Sequence, residues 1–185
     1  DGTTNFVRGF PHFAVSVALM EGSEVLVGAV YDPLRDELFT AARGLGAFRN
    51  GTPIGVSGRA ALDGSFLTTG FPFRMGRALP TYLAVFAEVF PRAAAIRRPG
   101  AASLDLAHTA CGIFDGFFEF FLSPWDLAAG VLLVREAGGV VTNLDGKGDI
   151  WSSGNVVAGT PEVQGELLRL IRRHTSERAL AAMRG

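Results

Sequence analysis

Four short stretches of this sequence hold residue types that chemistry can use. The first is Asp1-Gly2-Thr3-Thr4-Asn5-Phe6. It offers a carboxylate, a glycine whose bare backbone lets a ligand come close, and two hydroxyls at what reads as the start of a helical turn. Amides at a helix N-terminus bind phosphoryl oxygens, and an aspartate beside them can hold a hard cation that bridges to the same oxygens. The plainer reading of the hexapeptide is a capped turn. The second stretch is Trp125-Asp126-Leu127-Ala128-Ala129-Gly130, where Asp126 heads an apolar helix running to Glu136-Ala137-Gly138-Gly139. Asp126 is either a simple N-cap or, with small residues leaving space above it, a metal ligand. The third, Arg98-Pro99-Gly100-Ala101-Ala102-Ser103-Leu104-Asp105, leads small residues into a helix. It either brings a ligand close to the backbone or merely turns the chain, with Ser103 or Asp105 as cap. The fourth is Glu119 within Phe117-Phe118-Glu119-Phe120-Phe121. An acid on an aromatic strand must be paired or used, because burying it alone is costly.

Other reactive residues count for less. His12, His108 and His174 lie far apart in sequence, which gives no histidine cluster for zinc and predicts satisfied or exposed rings. Cys111 closes the apolar run Leu106-Ala107-His108-Thr109-Ala110-Cys111 and reads as a buried, inert thiol. Arg92, Arg97 and Arg98 form a small basic patch, expected to be solvated or salt-bridged. A Gly-rich Lys-Ser/Thr loop for nucleoside triphosphates is absent from the sequence.

The elements that must position these residues follow from pattern. Residues 13–20 and 24–31 are β-rich runs joined by Glu21-Gly22-Ser23, and residues 37–41 follow a turn cluster. Asn50-Gly51 is a type I′ hairpin signal, so residues 12–57 read as an antiparallel meander. From residue 66 the pattern alternates: strand 66–69, helix 79–90, strand 95–97, helix 103–111, strand 117–120, helix 125–137 stopped by Gly138-Gly139, strands 140–142 and 155–158, and a last helix 161–173. Strands first and alternation afterwards predict an α/β (α+β layered) unit of stacked sheets and helices. With 48% hydrophobic and 10% aromatic residues, 185 residues can bury one domain core. A formal charge of −1 supplies no field for nucleic acid or an anionic membrane, and no run approaches the ~20 apolar residues of a membrane span. A soluble, cytoplasmic protein is the expectation. The opening Asp1, without methionine, suggests that upstream residues are missing.

Taken together, the four stretches resemble the inositol monophosphatase family of the magnesium-dependent, lithium-sensitive phosphatase superfamily. The resemblance covers nearly the whole chain. In that family an Asp-Pro-(Ile/Leu)-Asp-Gly-Thr-(Thr/Ser)-Asn-Phe motif, here surviving as Asp1 to Phe6, precedes a Gly-(Ser/Ala)-Ala-Ala segment, an acidic aromatic strand and a Trp-Asp-x-Ala-Ala-Gly helix ending Glu-Ala-Gly-Gly. The resemblance implies alternating α-β-α-β-α layers in a single incomplete domain over residues 1–185, mainly antiparallel sheet to residue 78 and alternating beyond. It implies Mg2+ held by Asp1 and Asp126, with catalysis by Asp1, Thr3 and Asp126. By the same resemblance Gly2, Thr3, Gly100, Ala101, Ala102, Glu119 and Asp126 contact the substrate, a small phosphorylated polyol or sugar such as myo-inositol monophosphate. Fructose-1,6-bisphosphatase, histidinol-phosphatase and 3′-phosphonucleotide phosphatase activities are the enzymatic alternatives, and a transcription- or RNA-associated regulator retaining the fold is the alternative of another class. The family's first Asp-Pro and a glutamate ligand lie upstream of residue 1, so this stretch of chain is expected to hold part of the ion cluster and to be weak alone. Homodimerisation is implied, and nucleic acid is not an expected partner. Ser123 stands where relatives often carry a basic residue, which bears on substrate preference.

Overall fold

A computed structural model describes residues 1–71, 76–147 and 149–175; the part of the expected domain at 176–185 lies outside the described residues. The predicted meander is a five-stranded antiparallel sheet. It runs β1 (Val15–Glu21), β2 (Glu24–Asp32), β3 (Glu37–Ala42), β4 (Ala47–Arg49) and β5 (Thr52–Pro53), in that spatial order. At its tight end Arg49 pairs with Thr52 across Asn50 and Gly51, whose φ of 49° and 76° are the left-handed values that a type I′ turn requires.

The second sheet is mixed. β6 (Phe66–Thr69) lies parallel to both β7 (Ala95–Arg97) and β8 (Gly116–Glu119), while β10 (Val156–Gly159) runs antiparallel to β8 and to β9 (Val140–Thr142). Five α-helices and a 3-10 turn at Gly76–Ala78 complete the described fold: the short α1 (Thr3–Val7), α2 (Leu79–Val89), α3 (Ala102–Ala110), α4 (Pro124–Glu136) and α5 (Pro161–His174). Every residue of α3 is buried, as are residues 127–134 of α4, because these two helices fill the space between the sheets. By contrast α5 buries one stripe, Val163, Leu167, Leu170 and Ile171, and turns its arginines outward. Alternation along β8 divides the core in two: Phe117 packs with α3, α4 and the first sheet, and Phe118 packs with α2 and α5.

Four layers are thus described, sheet, helix, sheet, helix. The fifth layer implied by the family resemblance is not supplied by the described residues. The outer face of the first sheet carries Val15, Val17, Leu19, Val27 and Leu38, all 42–62% exposed, and only its inner face is covered.

Close packing fixes α4. A Cβ on Gly130 would lie 2.5 Å from Leu106 Cβ of α3, and one on Gly28 would lie 2.8 Å from Ala129 Cα. The Ala-Ala-Gly of the Trp-Asp helix therefore lets α4 nestle against α3 and β2; the room it makes is filled by those neighbours. The helix stops as expected, with Gly138 at φ 85° and a Gly139 N–H donated to the Val134 carbonyl at 2.8 Å. Glu136, just before the stop, accepts from the amides of Gly44 and Gly46, each at 2.9 Å, and so ties α4 to the loop between β3 and β4.

Candidate active site

Helix α3 begins with Ala101 at its N-cap, a residue with no side chain to satisfy the first amides. Asp1 does so from the far end of the chain: its Oδ2 accepts from both the amide and the hydroxyl of Ser103 at 2.8 Å, and its Oδ1 accepts from the Gly2 amide at 2.7 Å. The capping reading of Ser103 is thereby inverted, since Ser103 is the capped partner. An ionised carboxylate has about four acceptor sites, so one remains for a further ligand. The Gly2 amide, expected to face a phosphoryl group, is instead spent on the carboxylate next to it. Gly2 is needed here for shape: its φ is 79°, and a Cβ would sit 3.0 Å from both His12 O and Phe13 Cα. Thr3 opens α1 and is exposed.

Asp126 lies in the first turn of α4, where its Oδ2 accepts from the Ser123 amide at 3.1 Å, the one hydrogen bond of this side chain among the described residues. Asp126 is thus not the N-cap itself: Ser123 is, and Asp126 is the third-position acid that reaches back to it in a capping box, with no bond to its Oδ1 among the described residues. The starts of α1 and α4 meet at the beginning of β1. Asp1 exchanges backbone hydrogen bonds with Ala14 at 2.8 and 3.1 Å, and the Ser16 hydroxyl donates to the Trp125 carbonyl at 3.2 Å. Ala14 and Ser16 are two residues apart, about 7 Å along an extended chain. A cleft of about 330 Å³ lined by Ser16, Val17, Ala18, Met20, Pro124, Trp125 and Ala128 adjoins this point. A second hollow, at Ser57, Arg59 and Asp115, contains none of the expected site residues.

The Gly100 segment closes another side. Gly100 has φ 90°, and Asn5 Nδ2 donates to the carbonyls of His12, Pro99 and Gly100 at 2.8, 3.0 and 3.4 Å, which locks α1 to the entry of α3. Ala101 and Ala102 are buried in the core between the sheets, so they can present only backbone to a ligand. Glu119, at the end of β8, is partly buried with its carboxyl over Gly70, where a Cβ would overlap it at 2.0 Å. Desolvation, together with the charges of Asp105 and Asp126, pushes its proton affinity up to about 8, against a smaller opposing pull from Arg98.

Sequence reasoning missed the role of one acid and the meeting of two rings. Asp105 is 1% exposed, accepts from the Thr68 hydroxyl at 2.7 Å, and is pushed by burial to about 7. In sequence it reads only as a cap, because nothing local says that its helix is buried on all sides. Arg98 stacks over Phe71 at 5.4 Å beside this pair. His12 and His108, distant in sequence, come within 6.5 Å ring to ring, and His12 Nε2 is buried with no partner, contrary to the expectation of satisfied or exposed rings. Burial is the main cause that lowers both, His108 to about 4. Cys111 is half-buried, its thiol pushed up by burial, and Arg92 is salt-bridged to Asp63 and Glu166 as the patch reading expected.

Among the described residues no three His, Cys, Asp or Glu side chains gather as a ligand set. What the chain supplies is a pair of carboxylates and a threonine hydroxyl at the starts of helices. Together with two stacked sheets around α3 and α4, this defines a layered α/β protein whose oxygen-rich candidate site lies at helix ends. The chain belongs to the inositol monophosphatase family, whose family model matches residues 1–176. It is 49% identical over 177 residues to the Nus factor SuhB of Escherichia coli, covering 96% of this chain but 66% of that protein. The crystal structure of the extragenic suppressor protein suhB from Bartonella henselae superposes with a TM-score of 0.90 at 45% identity, over 94% of this chain and 66% of that one. Inositol monophosphatase from Anabaena (Nostoc) matches with a TM-score of 0.88 at 42% identity, over 94% and 69% of the two chains. The chain thus spans about two thirds of the length of these relatives.

Proposed function

We propose that the polypeptide containing this chain is a Mg2+-dependent phosphomonoesterase that hydrolyses myo-inositol monophosphate or a related polyol or sugar phosphate. The observation that carries the reading is the placement of Asp1 and Asp126 at the starts of α1 and α4, each already oriented by backbone amides and each with acceptor capacity left for a cation. Membership of the family and the name of the Anabaena relative support it. An all-oxygen donor set suits a hard cation such as Mg2+, and the two aspartates are its proposed ligands within this chain. Bound there, the ion would supply a water of lowered proton affinity and neutralise charge on the phosphoryl oxygens.

The remaining work falls to the chain's own groups. Phosphate monoesters hydrolyse very slowly unaided, and the enzyme's task is to place a water in line and to balance charge. The Thr3 hydroxyl orients that water, and the amides at the start of α1 face the phosphoryl group. The Gly2 and Gly100-Ala101-Ala102 backbones shape the wall against the substrate. Glu119 and Asp126 hold hydroxyls of the leaving alcohol. Lithium sensitivity and a homodimer belong to the same proposal.

The test is a panel of phosphates, comprising inositol monophosphate, fructose 1,6-bisphosphate, histidinol phosphate and a 3′-phosphonucleotide. It is run on the full natural polypeptide with and without Mg2+, beside Asp126→Asn. Hydrolysis that needs Mg2+ and falls at least 100-fold in the variant is the expected outcome. Equal turnover by wild type and variant refutes the role of Asp126. The names of the SuhB relatives favour a second reading, a transcription-associated factor on the same fold. RNA and transcription-complex binding that persists in Asp126→Asn, with no phosphatase activity in wild type, would select it.

A further inference from the structure

Behind the proposed substrate wall lies a second acid that the reaction as described leaves idle. Thr68 lies on β6 and Gly70 directly follows its last residue, two positions on, where strand alternation returns to the same face of the sheet. The Glu119 carboxyl occupies the space over Gly70, and the Asp105 carboxyl takes the hydroxyl of Thr68 at 2.7 Å. Register agrees, since Thr68 pairs with Phe117, which shares its face of β8 with Glu119 and packs toward α3. Both carboxyls therefore occupy the gap between this sheet and α3, one at Thr68 and one over Gly70, positions about 7 Å apart by strand spacing. Gly70 is the residue that makes the room; any side chain there would displace Glu119.

We propose that Asp105 is a positioning residue for Glu119, the charge of each acid opposing ionisation of the other across this gap, so that Glu119 keeps its proton and offers the substrate an O–H as well as a lone pair. This deepens, and rests on, the proposed phosphatase function: it names a leaving alcohol rich in hydroxyls, each able to donate and accept, and disfavours one that presents a second anion to this wall. Two neighbouring carboxyls with one solvent-poor space between them resist double ionisation, and the observed directions agree: both are raised, to about 7 and about 8. Among the described residues, the other charged or titratable groups that face them are Arg98 before α3, Asp126 on α4 and Tyr82 on α2. Tyr82 stays protonated, its hydroxyl pushed by burial to about 12.

Asp105→Asn separates charge from shape, because the amide oxygen still accepts from Thr68 while the negative charge is gone. Glu119 then loses its proton more readily. The direct readout is a 13C NMR titration of the Glu119 carboxyl in the full polypeptide, assigned with Glu119→Gln. The midpoint is expected to fall by about one pH unit in Asp105→Asn. Where hydrolysis is present, the alkaline rise of KM for inositol monophosphate moves down by the same amount, with a smaller change in kcat, while inhibition by inorganic phosphate, which has no alcohol hydroxyls, is unaffected. Thr68→Val is the second variant. It removes the bond that favours Asp105 as an anion and shifts Glu119 in the same direction. An unmoved Glu119 midpoint in both variants overturns the inference whatever the activity. A moved midpoint without any wild-type hydrolysis overturns the phosphatase reading instead.

Discussion

Replacing Gly130 with alanine sets two known magnitudes against each other. Within a helix the change from glycine to alanine is favourable by about 1 kcal/mol. At this position, however, the new methyl would lie 2.5 Å from Leu106 Cβ, where carbon contacts settle at roughly 3.5–4.0 Å, so α3 and α4 must separate by about 1 Å. Leu106 Cβ is anchored to buried backbone and cannot swing aside, and α4 is already in contact with β2 through Ala129 and Gly28. Overpacking of this kind costs about 1–3 kcal/mol, which offsets the helical gain and leaves a net loss of up to about 2 kcal/mol in urea unfolding. The second consequence is sharper. The first turn of α3 holds the Asp1 carboxylate and the first turn of α4 holds Asp126, so the same displacement changes their spacing. A misplacement of about 1 Å costs on the order of 100-fold in rate. Activity on inositol monophosphate is therefore expected to fall much further than stability at temperatures where the variant is fully folded. A Gly130→Ala protein as stable as wild type, with the same kcat/KM, would refute the claim that this contact sets the site.

Three further outcomes follow from single contacts. Asp1→Ala deprives Ser103 of its partner for both amide and hydroxyl, and should cost about 1–2 kcal/mol in chemical unfolding even without Mg2+; an unchanged midpoint would contradict the cross-chain cap. His108 has a folded-state proton affinity of about 4 against an ordinary 6.5, so its contribution to stability is complete above pH 6.5 and is lost as pH falls toward 4. The wild type should lose on the order of 3 kcal/mol more than His108→Phe between pH 7 and pH 4, read from melts at both values. Thr160 caps α5 by accepting from the Val163 amide at 3.2 Å and donates to Arg59 O at 2.8 Å; Thr160→Ala should lower stability by about 1 kcal/mol in the same assay, and more than 3 kcal/mol would indicate a larger role.

Local signals carried much of the fold. The Asn50-Gly51 turn, the Gly138-Gly139 stop and the alternation from residue 66 onward were legible because each depends on backbone chemistry within a few residues. Boundaries moved by one or two positions: β1 starts at Val15 where 13 was expected, and α4 at Pro124 where 125 was. Motif resemblance supplied the family. Sequence could not reveal what depends on partners distant along the chain. Asp105 looked like a cap because its burial is created by two sheets, and His12 and His108 looked unrelated because only the packing of α3 against the first sheet brings their segments together. The small residues after Asp126 read as open space, whereas they are filled by Leu106 and β2.

One of these long-range contacts has a bearing on how the molecule assembles. Helix α3 borrows its cap from a residue 102 positions away, and its own Ala101 provides nothing in exchange. A peptide covering α3 alone would fray at its start, and in the folding chain the first turn must wait until the opening segment has docked beside β1. The amide proton of Ser103 is thus a reporter on that late closure: its hydrogen exchange should track the opening of residues 1–14, though it belongs to a helix at the centre of the core.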